Sequence, residues 1–248
     1  MHPEPKGIVV FIHGFMGSPK QFSGLIAVAY DQGFSIAALL LPGHGGTAKD
    51  FASGTCECWQ NHVNSELERF SREYSKIILV GHSMGGLLAI NAAVKHNEYM
   101  CGLFLLTCPF LLTPFSLPTI KFRLNQVLNP KYRPVVRAYK DSSSVKMTPN
   151  IIWCSIKPSA EVKKLIHITE QILPEVKVPI SAVYSFTDEL TSIKSLDILK
   201  SGLLDVQFEQ VLLSDSFHAY YTPKDQNVVE QSFMDFVNKT ATIEGKEL

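Results

Sequence analysis

Residues 77–94 read IILVGHSMGGLLAINAAV. A short apolar run, Ile77–Val80, meets Gly81-His82-Ser83-Met84-Gly85, with Gly86 next, and Leu87–Val94 then has helix length and composition. G-x-S-x-G set between a strand and a helix is the sequence form of a sharp turn that presents a serine hydroxyl. Such a turn forces Ser83 into a strained backbone conformation. Gly81 and Gly85 keep the neighbouring backbone free of Cβ atoms, which permits the tight approach. The hydroxyl then stands at the top of the strand, at a helix N-terminus whose dipole favours negative charge. Without the flanking strand and helix, the same residues would be no more than a glycine-rich turn.

Working outward, apolar runs alternate with amphipathic segments on both sides. Ile8–Ile12, Ile36–Leu41, Leu103–Leu106, Ile180–Tyr184 and Phe208–Leu213 join Ile77–Val80 as strands. Between them, Pro19–Tyr30 places Phe22, Leu25, Ile26, Ala29 and Tyr30 at helical spacing, and Trp59, Val63, Leu67 and Phe70 recur every three or four residues. A last helix opens on Pro223 and buries Val229, Phe233, Phe236 and Val237. Strands alternating with helices predict an α/β fold with a mostly parallel central sheet, flanked by helices and buried on both faces. In such a sheet ligands bind beyond the carboxyl ends of the strands.

The stretch 108–177 breaks the pattern. It carries Pro109, Pro114, Pro118, Pro130, Pro134, Pro149 and Pro158, and its helical signals are short: Ile120–Leu128, then Val162, Leu165, Ile166, Ile172 and Leu173. It is far longer than a crossover needs. We expect residues 1–107 and 178–248 to form the core, with 108–177 inserted as a small cap or lid over the strand ends.

Composition bounds the function. With 248 residues and 46% hydrophobic content, the chain can bury a large core. Lys+Arg and Asp+Glu are 23 each, so the formal net charge is zero, which argues against nucleic-acid binding over the whole domain. No apolar run approaches the ~18 residues of a membrane span, and the start MHPEPKGIVVFIHG lacks the features of a signal peptide. Cys56, Cys58, Cys101, Cys108 and Cys154 read as free thiols, and a cytoplasmic location is expected. The oligomeric state is left as monomer or weak dimer.

A serine hydroxyl needs a base to become a nucleophile. Of His96, His167 and His218, only His218 follows a strand, in LSDSFH (213–218). Asp188 follows Ile180–Tyr184 through Ser185-Phe186-Thr187 and is the expected orienting acid; Glu189 beside it and Asp215 are weaker candidates. The chain order Ser, Asp, His suits this architecture. His13-Gly14-Phe15-Met16-Gly17 ends the first strand, so the backbone N–H groups of Phe15 and Met84 are the expected oxyanion donors, their side chains flanking an acyl pocket. Phe15, His82, Phe110 and Phe115 are the pocket candidates. His13 and His44 lack a carboxylate or cysteine at ligand spacing, so no metal is expected.

These motifs, HGFMGSP (13–19), LLPGHGG (40–46), GHSMGG (81–86), SFTDEL (185–190) and SFHAYY (216–221), resemble those of the α/β-hydrolase superfamily over nearly the whole chain. Within it, the chain is similar to serine carboxylesterases and monoacylglycerol lipases with a small cap. The resemblance implies an α/β-hydrolase fold and hydrolysis of a carboxylic ester without a cofactor. By it Ser83 is the nucleophile, Asp188 and His218 complete the triad, and Phe15 and Met84 form the oxyanion hole. The Phe- and Leu-rich start of the insertion favours an apolar acyl group in a small-molecule ester. The same triad would serve a thioesterase or lysophospholipase. A non-catalytic binding module on this fold is the reading from another class.

Overall fold

The computed structural model describes residues 5–113, 120, 124–126, 128–145 and 150–241. Six strands form one sheet: β1 (Ile8–Ile12), β2 (Ser35–Leu39), β3 (Ile77–His82), β4 (Met100–Leu106), β5 (Ile180–Ser185) and β6 (Phe208–Leu213). Their order is β2-β1-β3-β4-β5-β6, and every neighbouring pair is parallel. The chain is thus built on an α/β-hydrolase-type sheet, with β3 and β4 at its centre.

Alternation along each strand feeds two cores. In β1, Ile8, Val10 and Ile12 point to one face, and Val9 and Phe11 to the other. The second face is covered by α1 (Ser23–Asp31) and by the C-terminal helix Pro223–Ala241, through Leu25, Ala29, Val229, Phe233 and Phe236. Helix α2 (Ala48–Ala52) sits in a small separate cluster with Val145 and Ile151, whereas the first face carries α3 (Cys56–Phe70) and α4 (Met84–Lys95). It is the larger core, centred on Trp59, Val63, Leu67, Leu87 and Ile90. Strand β6 departs from the expectation of burial on both faces: Glu209 and Gln210 are exposed, because β6 is an edge strand.

After β4 come α5 (Arg133–Ser142) and α6 (Ile151–Ile172). The short helical signals expected late in residues 108–177 are in fact one 22-residue helix with Pro158 inside it. An internal proline costs ~3 kcal/mol. Tertiary burial outweighs that here, since Val162, Leu165 and Thr169 are packed inward. Polar links pin this half of α6 to its neighbours. Asn91 Nδ2 of α4 donates to Thr169 Oγ1 at 2.6 Å, and Cys56 N–H of α3 donates to Glu161 Oε2 at 3.1 Å. The first turns of α6 instead expose Ile152, Trp153 and Ile156. The last helices are α7 (Lys194–Gly202) and α8 (Pro223–Ala241). Among the described residues, no helix is long and apolar enough to cross a membrane.

Candidate active site

The elbow joins β3 to α4. Ser83 has φ 52° and ψ −123°, a conformation that non-glycine residues rarely hold. The glycines explain how the turn fits. A Cβ on Gly85 would lie 1.9 Å from the Ile12 carbonyl oxygen, and one on Gly81 would lie 2.5 Å from the Gly85 oxygen. The elbow is therefore seated directly on the end of β1. Ser83 N–H donates to Leu106 O at 2.8 Å, which fixes it to β4 as well.

His218 reaches this serine from the loop after β6. Its Nε2 is 2.9 Å from Ser83 Oγ, and its Nδ1 is 2.9 Å from Asp188 Oδ2. Asp188 itself is anchored, since Oδ1 accepts the N–H groups of Leu190 and Thr191 at 2.8 Å each. Burial lowers the His218 pKa, but the Asp188 charge, its hydrogen bond and the Glu189 charge outweigh burial and leave it raised above 6.5. The loop is held from below: Ser185 Oγ and Thr187 Oγ1 donate to Ser216 O at 2.6 and 2.8 Å, and Ser216 Oγ donates to Asp225 Oδ2 at 2.7 Å.

The loop after β1 passes beside the elbow. A Cβ on Gly14 would lie 2.9 Å from Ser83 Cβ. Among the described residues, the backbone N–H groups of Phe15 and Met84 meet no protein acceptor. The Met84 N–H is one of the orphan donors at the start of α4. An imidazole able to take a proton from Ser83, a carboxylate behind it and free amides nearby are the components of acyl transfer.

Several candidates fall elsewhere than expected. The Met84 side chain is fully buried in the larger core, because the first turn of α4 faces the sheet, so it flanks no pocket. Phe110 is also buried in that core, its N–H held by Ser195 Oγ at 3.2 Å. His82 packs beside the His218 loop. Its ring lies 5.0 Å from the His218 ring, and its Nε2–H donates to His218 O at 2.8 Å. Burial, then the His218 charge, lower its pKa to about 3, so it is neutral. Phe15 is half-buried, its ring 4.9 Å from that of Phe51. Phe115 lies outside the described residues.

His13 and His44 do meet, ring centroids 4.7 Å apart. His13 accepts Leu41 N–H at Nε2 and donates from Nδ1 to Gly14 O, so both nitrogens serve the turn. Among the described residues, no cluster of three or more histidine, cysteine or acidic side chains could hold a metal. His96 bonds Asn64 and Tyr99, away from the elbow, and His167 is exposed on α6. Glu189, ranked by sequence below its neighbour Asp188, has a place of its own. Its carboxylate lies buried against the His218 backbone, accepting His218 N–H at 3.0 Å.

The parallel sheet, the strained serine at its carboxyl edge and the Ser83–His218–Asp188 hydrogen-bonded chain define the α/β-hydrolase class of enzymes. More particularly, residues 3–220 match the family described as serine aminopeptidase, S33 (Hydrolase_4), and the chain belongs to that family. A thermostable monoacylglycerol lipase of Bacillus sp. (strain H-257) is 23% identical over 237 residues, 94% of this chain and 91% of that protein. Among solved structures, the monoacylglycerol lipase of Paleococcus ferrophilus superposes with a TM-score of 0.74 at 19% identity, covering 95% of this chain and 96% of that one. A soluble variant of monoglyceride lipase from Saccharomyces cerevisiae gives a TM-score of 0.75 at 17% identity, covering 97% and 88%.

Proposed function

We propose that the protein is a serine carboxylic ester hydrolase, carboxylesterase- or monoacylglycerol lipase-like, acting on esters of apolar acyl chains. The observation that carries this reading is the continuous chain from Ser83 Oγ through His218 to Asp188. His218 Nε2 takes the Ser83 proton as Oγ attacks the ester carbonyl. The carbonyl electron pair moves onto oxygen, where the Phe15 and Met84 amides receive it. Collapse expels the alcohol, which takes the proton from His218. Water, deprotonated by the same imidazole, then attacks the acyl-enzyme, and Ser83 Oγ takes that proton back from His218 as the acid leaves. Asp188 holds Nδ1–H and balances the imidazolium. Each oxyanion donor contributes ~3 kcal/mol to such a step.

The insertion supports an apolar acyl preference. Leu111, Ile120, Leu124, Leu128, Ile152 and Trp153 all expose large apolar side chains. In this reading residues 108–177 act as a cap, with the buried half of α6 shared with the core. The family description raises peptide cleavage as a rival. An aminopeptidase must hold the substrate's ammonium beside the triad, and the neighbouring carboxylate of Glu189 is already committed to His218 and Tyr139. Five free cysteines support a reducing, cytoplasmic setting. Triad and oxyanion amides all come from one chain, so a monomer suffices.

Ser83→Ala should abolish turnover of a p-nitrophenyl ester with the fold intact; unchanged turnover removes Ser83 from the mechanism. A ladder of p-nitrophenyl and glyceryl esters, run beside thioesters, lysophospholipids and an aminoacyl anilide, should favour oxygen esters with longer acyl chains. Preference for any other group would reassign the substrate class.

A further inference from the structure

Helix α5 of the insertion touches both halves of the site. At its end, Ser18 Oγ donates to Ser142 O at 2.9 Å, and Ser144 N–H donates to Met16 O at 3.0 Å, both on the loop that carries Phe15. In its middle, Tyr139 O–H donates to Glu189 Oε1. Glu189 Oε2 accepts His218 N–H at 3.0 Å, and the Ala219 backbone also bonds the Tyr139 oxygen. Glu189 is only 6% exposed. A buried carboxylate is costly unless its charge is met by donors. Its donors include the backbone of the proposed catalytic histidine and a phenol from the insertion.

We propose that Glu189 and Tyr139 are positioning residues for His218: a Tyr139–Glu189–His218 link lets the docked insertion helix hold the imidazole in register with Ser83. The link rests on the triad reading above. It acts through the backbone of His218, whereas Asp188 acts through the ring. Because α5 also grips the Phe15 loop, docking this helix aligns the base and the oxyanion donors together. The ionisable groups facing His218 are Asp188 and Glu189 from the loop after β5, His82 from β3 and Ser83 from the elbow, with Tyr139 from α5 bound to Glu189. The Glu189 charge favours the imidazolium.

The test is a double-mutant cycle of Glu189→Gln and Tyr139→Phe on p-nitrophenyl ester turnover, with kcat, KM and the pH profile read for each. Glu189→Gln should lower kcat ~10- to 100-fold, as small misplacements of a reacting group do, and leave KM within about twofold. Its acid limb should move to lower pH, because a negative charge facing His218 is gone. Tyr139→Phe should lower kcat about fivefold, the worth of one hydrogen bond. Its limb should move to higher pH, because the Glu189 charge is less screened. The double variant should match Glu189→Gln alone, since Tyr139 acts through Glu189. Undiminished loss from Tyr139→Phe when Glu189→Gln is already present overturns the link, as does a kcat loss with unmoved acid limbs, the mark of a loosened fold. If Glu189→Gln does not fold, the near-isosteric Tyr139→Phe decides by the direction of its limb. Ser83→Ala separates the two levels. If it retains turnover, the triad reading falls and the link with it. If it is dead while both variants keep parental kcat and pH profile, the link alone falls.

Discussion

The strain at Ser83 can be weighed against glycine. Ser83→Ala and Ser83→Gly both remove the hydroxyl and its 2.9 Å bond to His218 Nε2, so that loss cancels in the comparison. What differs is the Cβ held at φ 52°, ψ −123°. A non-glycine residue in such a region costs ~2 kcal/mol, within a range of ~1–3. Two effects oppose glycine: extra backbone freedom in the unfolded chain, ~0.7 kcal/mol, and one lost buried methyl, ~0.8 kcal/mol. The balance leaves the glycine variant more stable than the alanine variant by about 0.5 kcal/mol, whereas an unstrained backbone would leave it about 1.5 kcal/mol less stable. For a chain of this size 1 kcal/mol moves Tm by ~2–4 °C. Thermal unfolding followed by circular dichroism, with urea midpoints as a second measure, should put the glycine variant level with or slightly above the alanine one. A glycine variant more than ~3 °C below alanine would refute the strained elbow.

Two further outcomes follow from the same geometry. Asp188→Asn keeps the shape but offers an amide donor to Nδ1, favouring the wrong imidazole tautomer; kcat should fall ~10⁴-fold with little change in Tm, and a loss below tenfold would remove Asp188 as the orienting acid. Burial first of all holds His13, His44 and His82 at about 3, 4 and 3, so below pH 6.5 the unfolded chain binds protons that the folded protein refuses. Stability should therefore drop as pH falls from 6.5 towards 4, by on the order of 1.4 kcal/mol per pH unit for each group. The raised pKa of His218 works the other way, its contribution full below 6.5 and lost as pH rises through the folded value. Urea midpoints at pH 7 and 4.5 check the sum, and equal midpoints would contradict the burial of these rings.

The strands were legible because a sheet covered on both faces writes itself as apolar runs, as Ile8–Ile12 and Ile77–Val80 do. The elbow was legible because the close approach to Ile12 tolerates no Cβ at Gly85, a demand that a linear motif can express. The positions of Asp188 and His218 followed from strand ends alone. Helix α6 was not legible as one unit: Pro158 breaks its local pattern, and packing against α2, α3 and α4 restores it. Phe110 reads as a pocket aromatic from its neighbours, yet its side chain joins the larger core, whose other members lie far along the chain. Glu189 and Tyr139 carry no local signal either, since their bond joins two segments that meet only in the folded protein.

On the proposed mechanism, Ser83 is a nucleophile activated by His218. Intact-protein and peptide mass spectrometry after treatment with a fluorophosphonate tests it most directly. One adduct per chain, located on Ser83 and lost in His218→Ala, is the predicted result. An unlabelled Ser83 in protein that still turns over ester, or labelling undiminished in His218→Ala, would contradict it.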